Sequence, residues 1–197
     1  MTRHRILLAT IDLVADRGYA GATMRQIAAG ADMTIGTVFY HFASKADLVA
    51  AAHVEVIEPL LERTYAAARA QTGFLPGVVA WLQVGGEVLQ ECPAIARFGA
   101  ALLQASEADG PVRRIHDHLI QRQVDVLREL AEAHADELEL PGHEWQAVAD
   151  AAQAMVIGLI DFAEHSDVRR SQAARAAAVT MLARSIGPAL TTDSSPM

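Results

Sequence analysis

Between positions 25 and 45 lie six side chains that can meet a phosphate oxygen or a base edge: Arg25, Thr34, Thr37, Tyr40, His41 and Lys45. A guanidinium and an ammonium are permanent cations, and two threonine hydroxyls, a phenol and an imidazole are donors of suitable reach. The same interval holds Gly36, which leaves backbone bare where a partner could approach. Elsewhere, reactive groups do not converge. Cys92 is the one cysteine, and its expected role is that of a small buried hydrophobe. His116 and His118 are two apart, so a helix points them to different faces. Asp161 and His165 are four apart and read as a surface pair. There is no glycine-rich phosphate loop, zinc spacing or nucleophile elbow. The expectation is no catalytic residue, no metal and no cofactor.

Charge points to the same end of the chain. The formal net charge is −8 over 197 residues, which argues against a protein that coats nucleic acid indiscriminately. Residues 1–50 nevertheless carry five bases against four acids, and the remainder eleven against twenty. A surface for phosphate therefore belongs at the N-terminal end. Arg3 and Arg5 there read either as an arm reaching DNA or as a disordered terminus. No apolar run approaches the ~20 residues that span a bilayer, the start reads as an amphipathic helix rather than a signal peptide, and the lone cysteine fits a reducing compartment. These features lead to the expectation of a cytoplasmic protein with no membrane partner.

The elements that must position these groups are helices. Hydrophobic residues make up 52% and aromatics 5%, with alanine, the best helix former, supplying much of the apolar share. Ile6, Ala9, Thr10, Leu13 and Val14 mark a first helix that stops at Gly18. Thr23 and Gln26 form a capping box for a short second helix ending near Gly30. Thr34 caps a third, to about His41, with Val38 and Phe42 as core plugs. Ser44, with Asp47 placed to complete a box, caps a long fourth helix that Pro59 should kink or break. Further helices are expected over roughly 75–91, 93–109, 111–137, 144–165 and 168–189. The fold class is all-α: a three-helix N-terminal domain, then a helical bundle, about nine helices in total.

Two short helices joined by a sharp turn describe a helix-turn-helix, whose second helix fits the major groove while the first braces it. The stretch Arg17-Gly18-Tyr19, Thr23-Met24-Arg25-Gln26-Ile27-Ala28, Thr34-Ile35-Gly36-Thr37-Val38-Phe39-Tyr40-His41-Phe42 and Ser44-Lys45-Ala46-Asp47-Leu48 resembles the DNA-binding region of tetracycline-repressor (TetR) family regulators. The likeness covers about residues 5–52, and beyond them it is one of architecture alone. It implies double-stranded operator DNA as partner. Thr34, Tyr40, His41 and Lys45 then meet phosphate, Gly36 and Thr37 lie against the groove floor, and Arg25 faces the flanking strand. Three residues depart from the family pattern. Phe39 stands where tyrosine is common, and Ile35 where lysine or proline is. Asp32 stands in the turn where glycine is common, and aspartate tolerates the left-handed conformation that such a turn needs.

The division expected is residues 1–48 for DNA binding, 49–190 for ligand binding and dimerisation, and 191–197 as a disordered tail. Gly85-Gly86, beside an apolar stripe on the fifth helix, reads either as close helix–helix approach or as room for a small molecule. Trp81, Phe98, Leu102 and Met155, with His118 as a polar contact, are the candidate lining of a pocket for a small hydrophobic effector. The last two helices are apolar enough to suggest a partner. The resemblance implies a homodimer through Met155, Leu159, Ala174, Ala178, Met181 and Leu182. It also implies a small-molecule-responsive repressor. An activator or co-repressed regulator of the same fold, and a helical scaffold that has lost DNA binding, are the rival readings.

Overall fold

The computed structural model describes residues 1–106, 110–138 and 167–186, together with residues 150, 151, 154, 155, 158, 159 and 162. Trp145, Asp161, His165, the tail 191–197 and the side chain of Leu182 lie outside the described residues. Among the described residues the regular structure is helical throughout.

Helix α1 (Thr2–Gly21) buries Ile6, Leu7, Thr10, Ile11 and Val14. The buried Thr10 hydroxyl donates to the Ile6 carbonyl at 2.7 Å, so its polarity is satisfied within the helix. The helical backbone breaks at Gly18, at φ 70° and ψ 166°. That conformation is open to glycine and closed to most residues, so the expected stop is realised there.

Helices α2 (Met24–Gly30) and α3 (Ile35–His41) have seven residues each. Both start on a threonine. The Thr23 hydroxyl accepts from the Gln26 amide and the Gln26 side chain accepts from the Thr23 amide, the expected reciprocal box. Between the helices Asp32 sits at φ 55°. The Asp32 and Met33 amides donate back to the Ala29 and Ala28 carbonyls at 3.1 and 2.8 Å, which closes the turn.

The long fourth helix is interrupted, as Pro59 requires, but upstream of the proline. Helix α4 (Lys45–Ala52), capped by Ser44, passes into a π-helical turn, His53–Ile57, and resumes as α5 (Glu58–Arg69). In an unbroken α-helix the Pro59 ring would clash with the Glu55 carbonyl and could offer it no N–H. Widening the preceding turn moves the register, and the Glu58 amide bonds the His53 carbonyl instead. Helices α6 (Phe74–Glu91), α7 (Ala94–Ser106), α8 (Gly110–Ala133), α9 (Ala135–Leu138) and α10 (Val168–Ile186) follow.

Two compact units result. In the first, Met1–Arg63 with Gly86–Ile120, α1 packs against α2, α4 and α7, and α2 against α3. Ile6, Leu7, Ile27, Val38, Leu48, Phe98 and Leu102 are buried there. Arg97 pairs with Asp16 at 3.5 Å, joining α7 to α1. The second unit, Thr64–Gly85 with Gln121–Met197, buries Tyr65, Phe74, Val78, Trp81, Leu127 and Leu130.

A close backbone approach stands at Gly77, and Gly85 shows none. A Cβ on Gly77 would lie 2.7 Å from both methyls of the buried Leu130 and 3.2 Å from the Ala68 carbonyl oxygen. At Gly85 it would lie 3.5 Å from the Thr64 methyl, an ordinary contact. Gly85→Ala should therefore stabilise the protein by about 0.5–1 kcal/mol through helix propensity. Gly77→Ala should lose about 1–3 kcal/mol to overpacking, only partly offset by the same propensity. Urea denaturation of the two variants checks the ranking; a Gly77→Ala protein at least as stable as Gly85→Ala contradicts it.

Candidate nucleic-acid interface

Helix α3 turns two faces to different surroundings. Val38 and the following Phe42 are buried, as the reading of them as core plugs requires. On the other side Ile35, Gly36, Phe39 and Tyr40 are exposed, with Phe39 at 51% and Tyr40 at 85%. Positions 35 and 39, and 36 and 40, are each one turn apart, so they form one continuous stripe. Three large apolar or aromatic side chains held in water on a seven-residue helix signal a surface that meets something. The interior gives no reason for glycine at position 36, since an added methyl would lie 3.7 Å from Thr34 Oγ1. Its smallness is useful toward the outside, where backbone could approach a partner.

The start of α3 is held by its own hydroxyls. Thr34 Oγ1 accepts from the Thr37 amide at 3.1 Å, and the two hydroxyl oxygens are 2.9 Å apart, one donating to the other. Thr34 is exposed and Thr37 half-buried. At the other end, the Tyr40 and His41 rings meet edge-on, with centroids 5.1 Å apart. The structure thus brings Thr34 to Thr37 and Tyr40 to His41. Arg25 stands exposed on α2.

Lys45 is more engaged than its sequence position suggests. Its Nζ donates to the Tyr19 carbonyl at 2.7 Å and lies 4.0 Å from the centre of the Tyr19 ring. It fastens the first turn of α4 to the chain just after the Gly18 break. Arg3 and Arg5 are neither an arm nor a disordered terminus, for both belong to α1. Arg3 forms a two-point pair with Glu55, its Nε at 3.0 Å from Oε2, and covers the Phe42 ring at 4.4 Å. That pair holds the Arg3 charge above, and the Glu55 carboxyl below, their ordinary titration ranges, the hydrogen bond being the main cause in each. Arg5 reaches the Asp32 carboxylate at 3.4 Å.

The residues proposed for an effector pocket and for dimerisation are placed as follows. Trp81 is buried in the second unit; Phe98 and Leu102 are buried in the first. Met155 and Leu159 are half-buried. On α10 Ala174 is half-buried, Ala178 buried and Met181 68% exposed. His118 is exposed and lines an open cleft of about 290 Å³ with Ala46, Asp47, Ala50, His53, Val54, Pro111, Arg114 and Ile115. Trp81, Phe98, Leu102 and Met155 are not among the walls of that cleft.

Sequence reasoning passed over His53. It is 1% exposed, and neither ring nitrogen has a hydrogen-bond partner. Glu58 stands beside it, its Oε1 3.6 Å from His53 Nδ1 and 3.0 Å from His118 Nε2. The two imidazoles meet edge-on, 6.2 Å between centroids. Burial lowers the His53 pKa, Glu58 pulls it up, and His118 adds a smaller downward push. The signal was available: His53 continues the buried row Val49, Ala52 just upstream of a helix-breaking proline. Among the described residues no group of three His, Cys, Asp or Glu is placed to hold a metal ion.

Comparison with known proteins agrees with this geometry. Residues 6–52 match the family described as bacterial regulatory proteins, tetR family. No curated protein sequence matches the chain. Among solved structures, a transcriptional regulator from Pseudomonas aeruginosa PAO1, described as putative, is 24% identical, with a TM-score of 0.72 over 91% of this chain and 89% of that one. The regulator FadR of Bacillus subtilis, solved with stearoyl-CoA, is 15% identical, with a TM-score of 0.69 over 87% and 95%. AibR, solved with isovaleryl coenzyme A and operator DNA, is 20% identical, with a TM-score of 0.74 over 92% and 97%. The fold is that of TetR-like transcription regulators, and no helix among the described residues is long and apolar enough to cross a membrane.

The buried His53 gives stability a definite pH dependence. Its folded-state pKa is lowered, so below about pH 6.5 the unfolded chain takes up a proton that the folded one refuses. The contribution is intact above that pH and is lost as pH falls toward the folded-state value. Chemical denaturation from pH 7.5 to 5 should show stability falling more steeply in the wild type than in His53→Gln. A difference between the two proteins that is flat, or that grows in the wild type's favour on acidification, contradicts this.

Proposed function

We propose that this chain, a TetR-family regulator by its fold and by its residues 6–52, is a homodimeric repressor that binds a palindromic operator and releases it when a small, mostly hydrophobic molecule binds the body. The carrying observation is the exposed face of α3, with Ile35, Gly36, Phe39 and Tyr40 outward and Val38 and Phe42 inward. Such a stripe suits the major groove. Ile35 and the Thr37 methyl would meet thymine methyls, and the Thr37 hydroxyl a base edge. Thr34, Tyr40 and His41 would take phosphate oxygens, Arg25 the flanking strand, and Lys45 would add charge from the start of α4. Phe39 gives up the phosphate bond that a phenol could make and offers a methyl-contacting surface in exchange.

The division of labour proposed is residues 1–48 for DNA, 49–190 for dimerisation and effector, and 191–197 as a tail, in a cytoplasmic protein. Two recognition helices must stand about 34–36 Å apart to enter successive major grooves, which a symmetric dimer provides. Met155, Leu159, Ala174, Ala178, Met181 and Leu182 are the proposed contacts. Met181, at 68% exposure in the single chain, has the most to gain from a partner. FadR, solved with stearoyl-CoA, and AibR, solved with isovaleryl coenzyme A, support a small-molecule effector with an acyl part. The pocket proposed for it uses Trp81, Phe98, Leu102 and Met155, with His118 as a polar contact. Repression rests on the family likeness.

Selection of bound fragments from genomic DNA tests the core of this reading. The protein should enrich a palindrome, with affinity falling steeply as salt rises. Thr37→Ala should relax discrimination at one base pair of each half-site by about 1–3 kcal/mol, whereas Arg25→Gln should weaken all sequences alike and reduce the salt slope by about 1. Met181→Glu should sediment as a monomer and lose the operator. A wild type that enriches no fragment at low salt is a scaffold, not a regulator.

A further inference from the structure

The cleft beside His53 lies within the first unit, between α4 with its π-turn and the first turns of α8. Ala46, Ala50, Val54, Pro111 and Ile115 make an apolar lining, and three basic groups, His53, Arg114 and His118, share the wall. His53 is buried there with both nitrogens unbonded. Left so, a buried imidazole carries a desolvation cost that a bound polar group would remove. Arg114 is exposed and has no ion pair among the described residues. It stands in the second turn of α8, one turn before His118 on the same face. The acid in the wall, Asp47, accepts the Ser44 hydroxyl at 2.8 Å, and Glu58, bound to His118, is not part of the lining.

We infer that this cleft is a binding site for a small monocarboxylate with a short alkyl body, sharing only His118 with the effector pocket proposed above. The guanidinium of Arg114 supplies the charge and the bidentate geometry for a carboxylate. His53 and His118 supply polar contacts, and the alanine, valine and isoleucine surface takes the alkyl chain. The volume of about 290 Å³ is at the lower end for small-molecule sites, so the chain is short. Asp47 disfavours a second negative charge, which selects a monocarboxylate over phosphate or a dicarboxylate. A molecule seated there touches both α4, which begins directly after the recognition unit, and α8. It ties those two helices together.

Butyrate and hexanoate, titrated at fixed pH and ionic strength, are the probes, with butyramide as the uncharged control. The readout is the NMR signal of each histidine ring. The acids should move the His53 and His118 signals saturably, and the amide should not. In Arg114→Gln, an exposed change that leaves the core intact, the affinity should fall about tenfold. Unmoved His53 and His118 signals, equal binding of acid and amide, or undiminished affinity in Arg114→Gln would each overturn the inference. Operator binding does not enter this experiment, so either proposal can fail alone.

Discussion

Burial of the apolar stripe of α1 is the constraint on which the first unit rests. A seven-residue helix is not stable by itself in water, because too few hydrogen bonds offset the fixed dihedrals. Helices α2 and α3 exist because their inward residues, Ile27, Ala28 and Val38, close a core with Ile6, Leu7, Ile11 and Val14. The same helix packs on α4 and α7, so α1 sets the platform from which α3 is presented. Capping contributes on the order of 1 kcal/mol at each of Thr23, Thr34 and Ser44. These caps fix where each helix begins more than whether it forms.

From this platform follows the character of the candidate interface. Its charge is modest, since Arg3 is occupied by Glu55, Arg5 faces Asp32, and Lys45 is drawn to the Tyr19 carbonyl. Cations that in isolation would be free for phosphate thus brace the fold around the turn and α4. What α3 offers outward is chiefly shape: a glycine, two threonine hydroxyls locked to each other, and an apolar and aromatic stripe. Such a surface favours groove contact and methyl recognition over dense charge neutralisation. That balance suits a protein whose overall charge is −8.

Much of this was legible in the sequence where the cause is local. Caps, the Gly18 stop and the left-handed turn at Asp32 depend on residues within a few positions, and each stands where side-chain chemistry puts it. Val38 and Phe42 could be assigned inward from helical period alone. What escaped depends on residues far apart in the chain. Arg3 was legible as a cation but not as a partner of Glu55, fifty-two residues away. The close approach at Gly77 is set by Leu130 and could not be told from the Gly85-Gly86 pair by propensity. Pro59 announced a break, yet that the turn before it would widen and leave His53 buried against Glu58 and His118 required the fold.

The claim that α3 presents the DNA-binding face is tested most directly by amide hydrogen exchange, with and without a genomic fragment that the protein retains. The amides of α3 and of the turn from Asp32 to Thr34 should slow on DNA binding, together with the first turn of α4, while α10 should exchange alike in both states. DNA-dependent protection confined to α8 or α10, with α3 exchanging as fast as in the free protein, would place the DNA elsewhere and contradict the assignment.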